Sequence, residues 1–238
     1  MSQPAKAGLI ALCPMKAHSA RVPGKNFRSI AGKPLFRWIL DTLLSVPAVA
    51  HVVINTDARD LLAQSGLRDG DADGRVVVRD RRPEICGDSV SMNRVLADDL
   101  AAVPAERYLM THTTNPLLSA ATIVQALARF DASRVAGEAD SLFSVNRVQA
   151  RFYRDDGTPV NHDPDNLIPT QDLAPWFEEN SNLYLFTGES FAATGARIGR
   201  RPLLFPMRKT ESIDIDDPDD WLLAEALLRS PSPVPQGA

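Results

Sequence analysis

Cysteine is scarce in this chain, with only Cys13 and Cys86 among 238 residues. A pair so far apart makes neither a disulfide scaffold nor a CxxC metal site, and a reducing cytoplasm is the expected compartment. Long apolar runs are missing too. None approaches the ~18 residues that a membrane helix needs, and Met1 to Gly8 lack the apolar core of a secretory signal. Neither GxxxxGK[ST] nor GxGxxG occurs, which disfavours a P-loop ATPase and a standard dinucleotide enzyme. A surplus of positive charge is absent as well. The net charge is −4 and the pI about 5.6, which argues against a general nucleic-acid binder. What is there is ordinary globular material, 44% hydrophobic and 24% charged.

The charge is unevenly spread. Residues 1–40 contain no Asp or Glu but carry Lys6, Lys16, Arg21, Lys25, Arg28, Lys33 and Arg37. Residues 211–220 carry Glu211, Asp214, Asp216, Asp217, Asp219 and Asp220 and no cation. Such segments are either two solvated surfaces or a site that meets a polyanion at one end and a cation at the other.

Short apolar runs alternate with helical periodicity. Strands are expected at 9–13, 51–54, 75–78, 108–110, 141–145, 183–186 and 213–216. Helices are expected at 34–44, with Pro34 in the first turn, at 58–65 capped by Asp57, at 91–102, at 119–130 and at 218–228. Asp217-Pro218-Asp219-Asp220 reads as an N-cap, an N1 proline and first-turn acids on that last helix. This alternation predicts an α/β fold, a mostly parallel central sheet flanked by helices. Residues 146–180 are polar and aromatic without a period, and they read as a small inserted flap, a hairpin excursion from the sheet. One domain over 1–229 and a disordered tail at 230–238, with prolines at 231, 233 and 235, complete the expected organisation.

Two constellations carry chemistry. The segment Pro14 to Asn26 directly follows the first strand, where open α/β sheets bind ligands. Lys16, Arg21 and Lys25 lie within ten residues and can neutralise a triphosphate, and Gly24 lets backbone approach closely. The second constellation is Ile213-Asp214-Ile215-Asp216. On a strand its two carboxylates share one face, where they repel unless solvated, protonated or bridged by a cation. Mg²⁺ takes one or two carboxylates together with substrate phosphates; an exposed strand edge is the alternative.

Together with Asn55-Thr56-Asp57, Arg82-Pro83-Glu84 through Asp88, Asn180 to Tyr184, and Glu211-Ser212, these segments resemble the acylneuraminate cytidylyltransferases, which make CMP-activated sialic acids and related sugar acids. The order and spacing hold from about residue 9 to 228, and Ser19-x-Arg21-Val22-Pro23-Gly24-Lys25 is also similar to the 3-deoxy-manno-octulosonate cytidylyltransferases. The resemblance implies a nucleotide-diphospho-sugar transferase fold, Mg²⁺ as cofactor and CTP as donor. It implies attack of an acceptor oxygen on the α-phosphorus and loss of pyrophosphate. Lys16, Arg21, Lys25, Asp214 and Asp216 would be the catalytic set, and both aspartates metal ligands. One of them would help deprotonate the acceptor. Leu12, Pro14, Met15, Ser19 and Asn26 would complete the sugar and phosphate contacts. Arg81 or Arg82, with backbone near Asp88, Ser89 and Ser91, would read the cytosine. A homodimer paired through the flap is also implied, with Phe152, Tyr153, Trp176 and Phe177 as anchors.

The departures concern the acceptor. Sialate synthetases carry Lys-Gly where this chain has Ala20-Arg21, and their Gln-Pro-Thr-Ser-Pro-Leu-Arg is here His112 to Leu118, without the arginine. They also place arginines at the positions of Thr170 and Glu178, to hold the sugar carboxylate. Arg to Glu reverses the charge. The acceptor site is therefore expected from His112, Thr114, Asn115, Gln171 and Asn180, with Arg147, Arg151 and Arg154 as replacement cations. The partners expected are CTP and an acidic small molecule, with no nucleic acid and no membrane. A nonulosonic or other 2-keto sugar acid is the first acceptor class. A small phosphonate or carboxylate is the alternative, and a non-catalytic nucleotide-binding module of the same fold is a further one.

Overall fold

A computed structural model describes residues 7–19 and 21–230; the tail expected at 230–238 lies outside them except for Ser230. Chain order is β1 (Ala7–Leu12), β2 (Ser29–Ile30), β3 (Lys33–Pro34), α1 (Leu35–Ser45), β4 (His51–Thr56), α2 (Arg59–Gln64) and β5 (Val76–Asp80). There follow α3 (Met92–Ala102), β6 (Ala105–Met110), α4 (Ala120–Val135), β7 (Ser141–Val148), β8 (Trp176–Thr187), α5 (Gly188–Thr194), β9 (Pro202–Pro206) and α6 (Pro218–Arg229). Seven strands form one sheet in the order β5-β4-β1-β6-β8-β7-β9, and only β8 runs antiparallel to its neighbours. The mostly parallel α/β sheet is thus as expected. Among the described residues no helix is long and apolar enough to cross a membrane.

Strand periodicity explains the layers. On β1, Leu9 and Ala11 face α1 and α4 in one core, and Ile10 and Leu12 face the other, with Leu96 of α3 and Phe191 of α5. A strand covered on both faces reads as an uninterrupted apolar run, which is why β1 stands out in the sequence. From β1 the chain moves outward to β4 and β5, then returns to the other side of β1 as β6. The reversal leaves a crevice beyond the carboxyl ends of β1 and β6, where such sheets take their ligands.

The β7–β8 register shifts between Phe143 and Val145, and the pair then runs from Val145↔Glu179 to Val148↔Trp176, past the last β9 partner at Val145, with residues 149–175 between the two strands. A bulge marks the shift. Ser144 Oγ donates to Asn180 Oδ1 at 2.6 Å and accepts from the Leu183 N–H at 2.9 Å, while Ser181 adopts φ +57.

Several local expectations are corrected. Ile213 to Asp216 form no strand. The Ile215 N–H donates to the Thr114 carbonyl at 2.9 Å, and the segment finds no continuous ladder because it crosses the strand ends instead of lying beside one. Asp57 does not cap α2; its Oδ1 accepts from the Ala17 N–H at 2.7 Å, a long-range partner that periodicity cannot reveal. Pro34 is the N-cap of α1 and the end of β3, not a first-turn residue. β9 and α5 have no counterpart among the expected elements; both are short, and α5 has only seven residues. At α6 the expectation holds: Asp217 accepts from Asp219 and Asp220, and Asp220 accepts back from Asp217.

Candidate active site

The loop after β1 is built by three anchors. Gly24, at φ +63, makes the turn that returns the Phe27 and Arg28 N–H groups to its carbonyl. Val22 packs against Ile215 and Trp221 in a small core of its own, and this apolar contact brings the acidic segment onto the basic loop. Asn26 is buried; its amide donates to the Lys16 carbonyl at 2.8 Å and accepts from Thr113 at 2.6 Å, tying the loop to the end of β6. From the other side Glu211 accepts from Ser119 and Thr122, which holds the acidic segment at the N-terminus of α4.

The two charge clusters of the sequence therefore meet. Arg21 lies 3.0 Å and Lys25 3.6 Å from the same oxygen, Asp216 Oδ1. Lys25 also donates to the Ile215 carbonyl at 2.5 Å. Burial lowers the pKa of Lys25, and Asp216 and Asp214 pull it back up. Asp214 is more enclosed: burial raises its pKa against the pull of Thr114, and its Oδ1 is buried without a hydrogen-bond partner among the described residues. Across the crevice Lys16 pairs with Asp88.

A cavity of about 290 Å³ opens at this crevice. Of the residues chosen from sequence, Pro14, Met15, Lys16, Asn26, Arg81 and Asp88 line it, joined by His112 and Thr114 from the acceptor set. Burial pushes His112 down to about 4, helped by the charges of Arg197 and Lys25. Arg82 does not line the cavity; it is mostly exposed and bonds Asp98 at 2.7 Å. Leu12 is a fully buried core residue whose side chain lines neither cavity, because β1 is covered on both faces. Arg21, Lys25 and Ser19 sit on the loop and do not line the cavity, nor do Asp214 and Asp216, and Ser89 is exposed. Ser91 caps α3 by accepting from the Asn93 N–H and lines a neighbouring cavity.

The acceptor set fares differently. Asn115 is buried, donating to the Ile213 carbonyl, and Asn180 is spent on the bulge. Arg147 bonds Gln149, Arg151 bonds the Ile168 carbonyl, and Arg154 and Gln171 are exposed on the excursion. None of them lines either cavity. The neighbouring cavity, about 380 Å³, shares Met92 with the first and is lined by Asn93, Glu179 and Arg197. Arg197 lies over the Tyr184 ring at 4.1 Å, bonds its hydroxyl at 3.1 Å and stands 3.5 Å from Glu179. Sequence reasoning missed Arg197. It follows a seven-residue helix in an irregular segment, and nothing local separates it from the other basic residues.

The chain is similar to several known proteins. The chain is 27% identical over 237 residues to a CMP-N,N'-diacetyllegionaminic acid synthase of Legionella pneumophila, covering 92% of this chain and 96% of that one. It is 22% identical over 225 residues to an N-acylneuraminate cytidylyltransferase of Streptococcus agalactiae, of which it spans about half, 51%. The fold matches a solved CMP:2-keto-3-deoxy-manno-octonic acid synthetase complexed with CTP at a TM-score of 0.65 and 16% identity, over 93% of this chain and 98% of that one. A family model described as cytidylyltransferase matches residues 10–227, nearly the whole length, and the chain belongs to that family of nucleotidyl-transferring enzymes.

Proposed function

We propose that the protein transfers CMP from CTP to an acidic acceptor, a nonulosonic or other 2-keto sugar acid, with Mg²⁺ present and pyrophosphate released. The names of its relatives suggest the donor and the acceptor class. The observation that carries the reading is the convergence of Arg21, Lys25, Asp214 and Asp216 at the crevice between β1 and β6.

The donor set fits Mg²⁺. Asp214 offers a buried carboxylate oxygen without a partner among the described residues, an arrangement that is costly unless a cation meets it. Asp216 adds a second carboxylate. No group of three or more His, Cys, Asp or Glu able to hold a metal exists among the described residues, so phosphate oxygens would have to complete the shell, as Mg²⁺ prefers. Asp214 and Asp216 would hold the ion, which supplies positive charge against the phosphate oxygens.

The chain's own cations do the rest. Lys16, Arg21 and Lys25 each face a carboxylate or carbonyl that phosphate oxygens can replace. Lys25, only 11% exposed, is screened least and would bear most on the charge that builds on the non-bridging and leaving oxygens. The acceptor oxygen would form its bond to the α-phosphorus as the bond to the pyrophosphate oxygen breaks. The hydroxyl proton would pass to one of the two carboxylates.

For the acceptor, the 380 Å³ cavity adjoins the nucleotide cavity, and Arg197 supplies its cation. A single arginine there, with Glu178 exposed on the flap, also favours the second reading, a small phosphonate or carboxylate acceptor. The exposed Trp176 and Phe177, with Tyr153 nearby on the flap, support the homodimer.

Pyrophosphate release with Mg²⁺ and each of CTP, UTP, ATP and GTP, against a pool of 2-keto sugar acids and small phosphonates, tests the reading. Signal with CTP alone is expected, and splitting the pool then names the acceptor. A chain that neither turns over nor binds CTP would overturn it.

A further inference from the structure

Behind the nucleotide cavity lies a buried polar network that the proposed chemistry does not use. Asp98 and Asp99 enter it from α3, Asn55 from β4, Arg79 from β5 and Arg81 from the loop that follows. Asp99 and Asn55 are both fully buried. Asn55 Nδ2 donates to Asp99 Oδ1 at 2.8 Å and, at a longer 3.4 Å, to Asp98 Oδ2, while Asn55 Oδ1 accepts from Arg81 Nε at 2.9 Å. Arg79 bridges Asp98 and Asp99, and Arg82 holds the other oxygen of Asp98. Arg81 Nη2 is held by the carbonyls of Asn55, at 2.8 Å, and Met15, at 3.2 Å. Its Nη1 has no partner among the described residues, and Arg81 lines the nucleotide cavity. Asp99 touches neither cavity.

The order of bonds along this chain matters. An asparagine amide can sit either way round, and its neighbours choose. An ionised carboxylate accepts only, so Asp99 takes the Nδ2 end of Asn55 and turns the oxygen towards Arg81. That oxygen and two carbonyls then fix the guanidinium plane on one edge and leave the other for a ligand. Asp99 spends Oδ1 on Asn55 and Arg79, and its Oδ2 is buried without a partner among the described residues. We infer that Asp99 is a positioning residue of the nucleotide site: through Asn55 it holds Arg81 in the orientation that contacts bound CTP. The inference rests on the CTP reading above.

Asp99→Asn keeps the shape and removes the acceptor-only character. With its oxygen turned to Asn55 the new amide is an uncharged, weaker acceptor; turned the other way it opposes Asn55 Nδ2 or lets Asn55 turn, and a turned Asn55 presents an N–H to Arg81. Calorimetric titration of the full chain with CTP and Mg²⁺ would compare wild type, Asp99→Asn, Arg81→Ala and the double variant. If Asp99 acts through Arg81, its substitution weakens CTP binding by roughly tenfold while Arg81 is present and by less than about twofold in the Arg81→Ala background. Equal effects in both backgrounds, or no effect in either, would overturn the inference while CTP binding by wild type upholds the functional reading. Absence of CTP binding in wild type would remove both. Should Asp99→Asn fail to fold, Asn55→Ala, which interrupts the same chain of bonds one residue later, takes its place in the cycle with the same expected and overturning results.

Discussion

Two residues apart, Asp214 and Asp216 live in different surroundings. Asp216 is half exposed and met by Arg21 and Lys25, whereas Asp214 is enclosed and has a bare oxygen. Replacing either by Ala should lower CTP-dependent pyrophosphate release by at least about a hundredfold, as expected for groups that meet the reacting phosphates; near wild-type rates in both would remove the metal assignment. Arg197→Gln should raise the acceptor KM by at least about tenfold, in the range of a lost charged hydrogen bond, and leave the KM for CTP nearly unchanged. An unmoved acceptor KM would move the anion contact elsewhere. His112 carries a pH signature. Its folded pKa is depressed to about 4, so as pH falls below ~6.5 the unfolded chain takes the proton first and the fold loses stability, up to about 3 kcal/mol by pH 4. Urea unfolding at pH 7.5 and 4.5 should show a smaller loss in His112→Gln than in wild type.

Among the elements, α6 shows how local chemistry and placement combine. Asp217 caps its N-terminus reciprocally with Asp220, and Asp220 Oδ2 also accepts from the Asp216 N–H at 2.9 Å. The cap that starts the helix therefore shapes the backbone of Asp216, a candidate metal ligand. Asp217→Ala should cost about 1 kcal/mol in unfolding free energy. A loss within about 0.3 kcal/mol of zero would show that Asp220 alone secures the helix start. This motif was legible because all its partners lie within four residues. Asp57 was misread for the opposite reason: it precedes a helix as a cap should, but the loop after β1 supplies a better donor from forty residues away. The Ile-Asp alternation of 213–216 was equally convincing as a strand, and only the absence of a neighbouring strand to pair with decided otherwise.

On the scale of the whole molecule, the flap is the open feature. Phe152 stacks on Trp176 at 5.2 Å, and Tyr153 meets His162 edge-on at 4.7 Å, so the excursion has a small packed interior of its own. Trp176 and Phe177 are nonetheless more than two-fifths exposed. Exposed aromatics on a projecting arm suit an interface. Light scattering should give twice the chain mass, and a Trp176→Ser, Phe177→Ser variant should shift towards the monomer; a wild-type monomer at working concentration would reject the dimer.

The sequence by itself determined the parallel α/β sheet, the helical faces and both charged segments, because alternation, 3.6-residue spacing and cap chemistry are local. It also placed the basic loop after the first strand, where such sheets take their ligands, and so singled out a candidate site. Tertiary structure alone decided which charges meet. Val22 packing on Ile215 brings Arg21 and Lys25 to Asp216, the β7–β8 bulge consumes Asn180, and covering of both sheet faces withdraws Leu12. Arg197 gains its importance only because the fold sets its segment beside α3 and against Tyr184. Such contacts depend on packing between segments far apart in the chain, and periodicity carries no record of them.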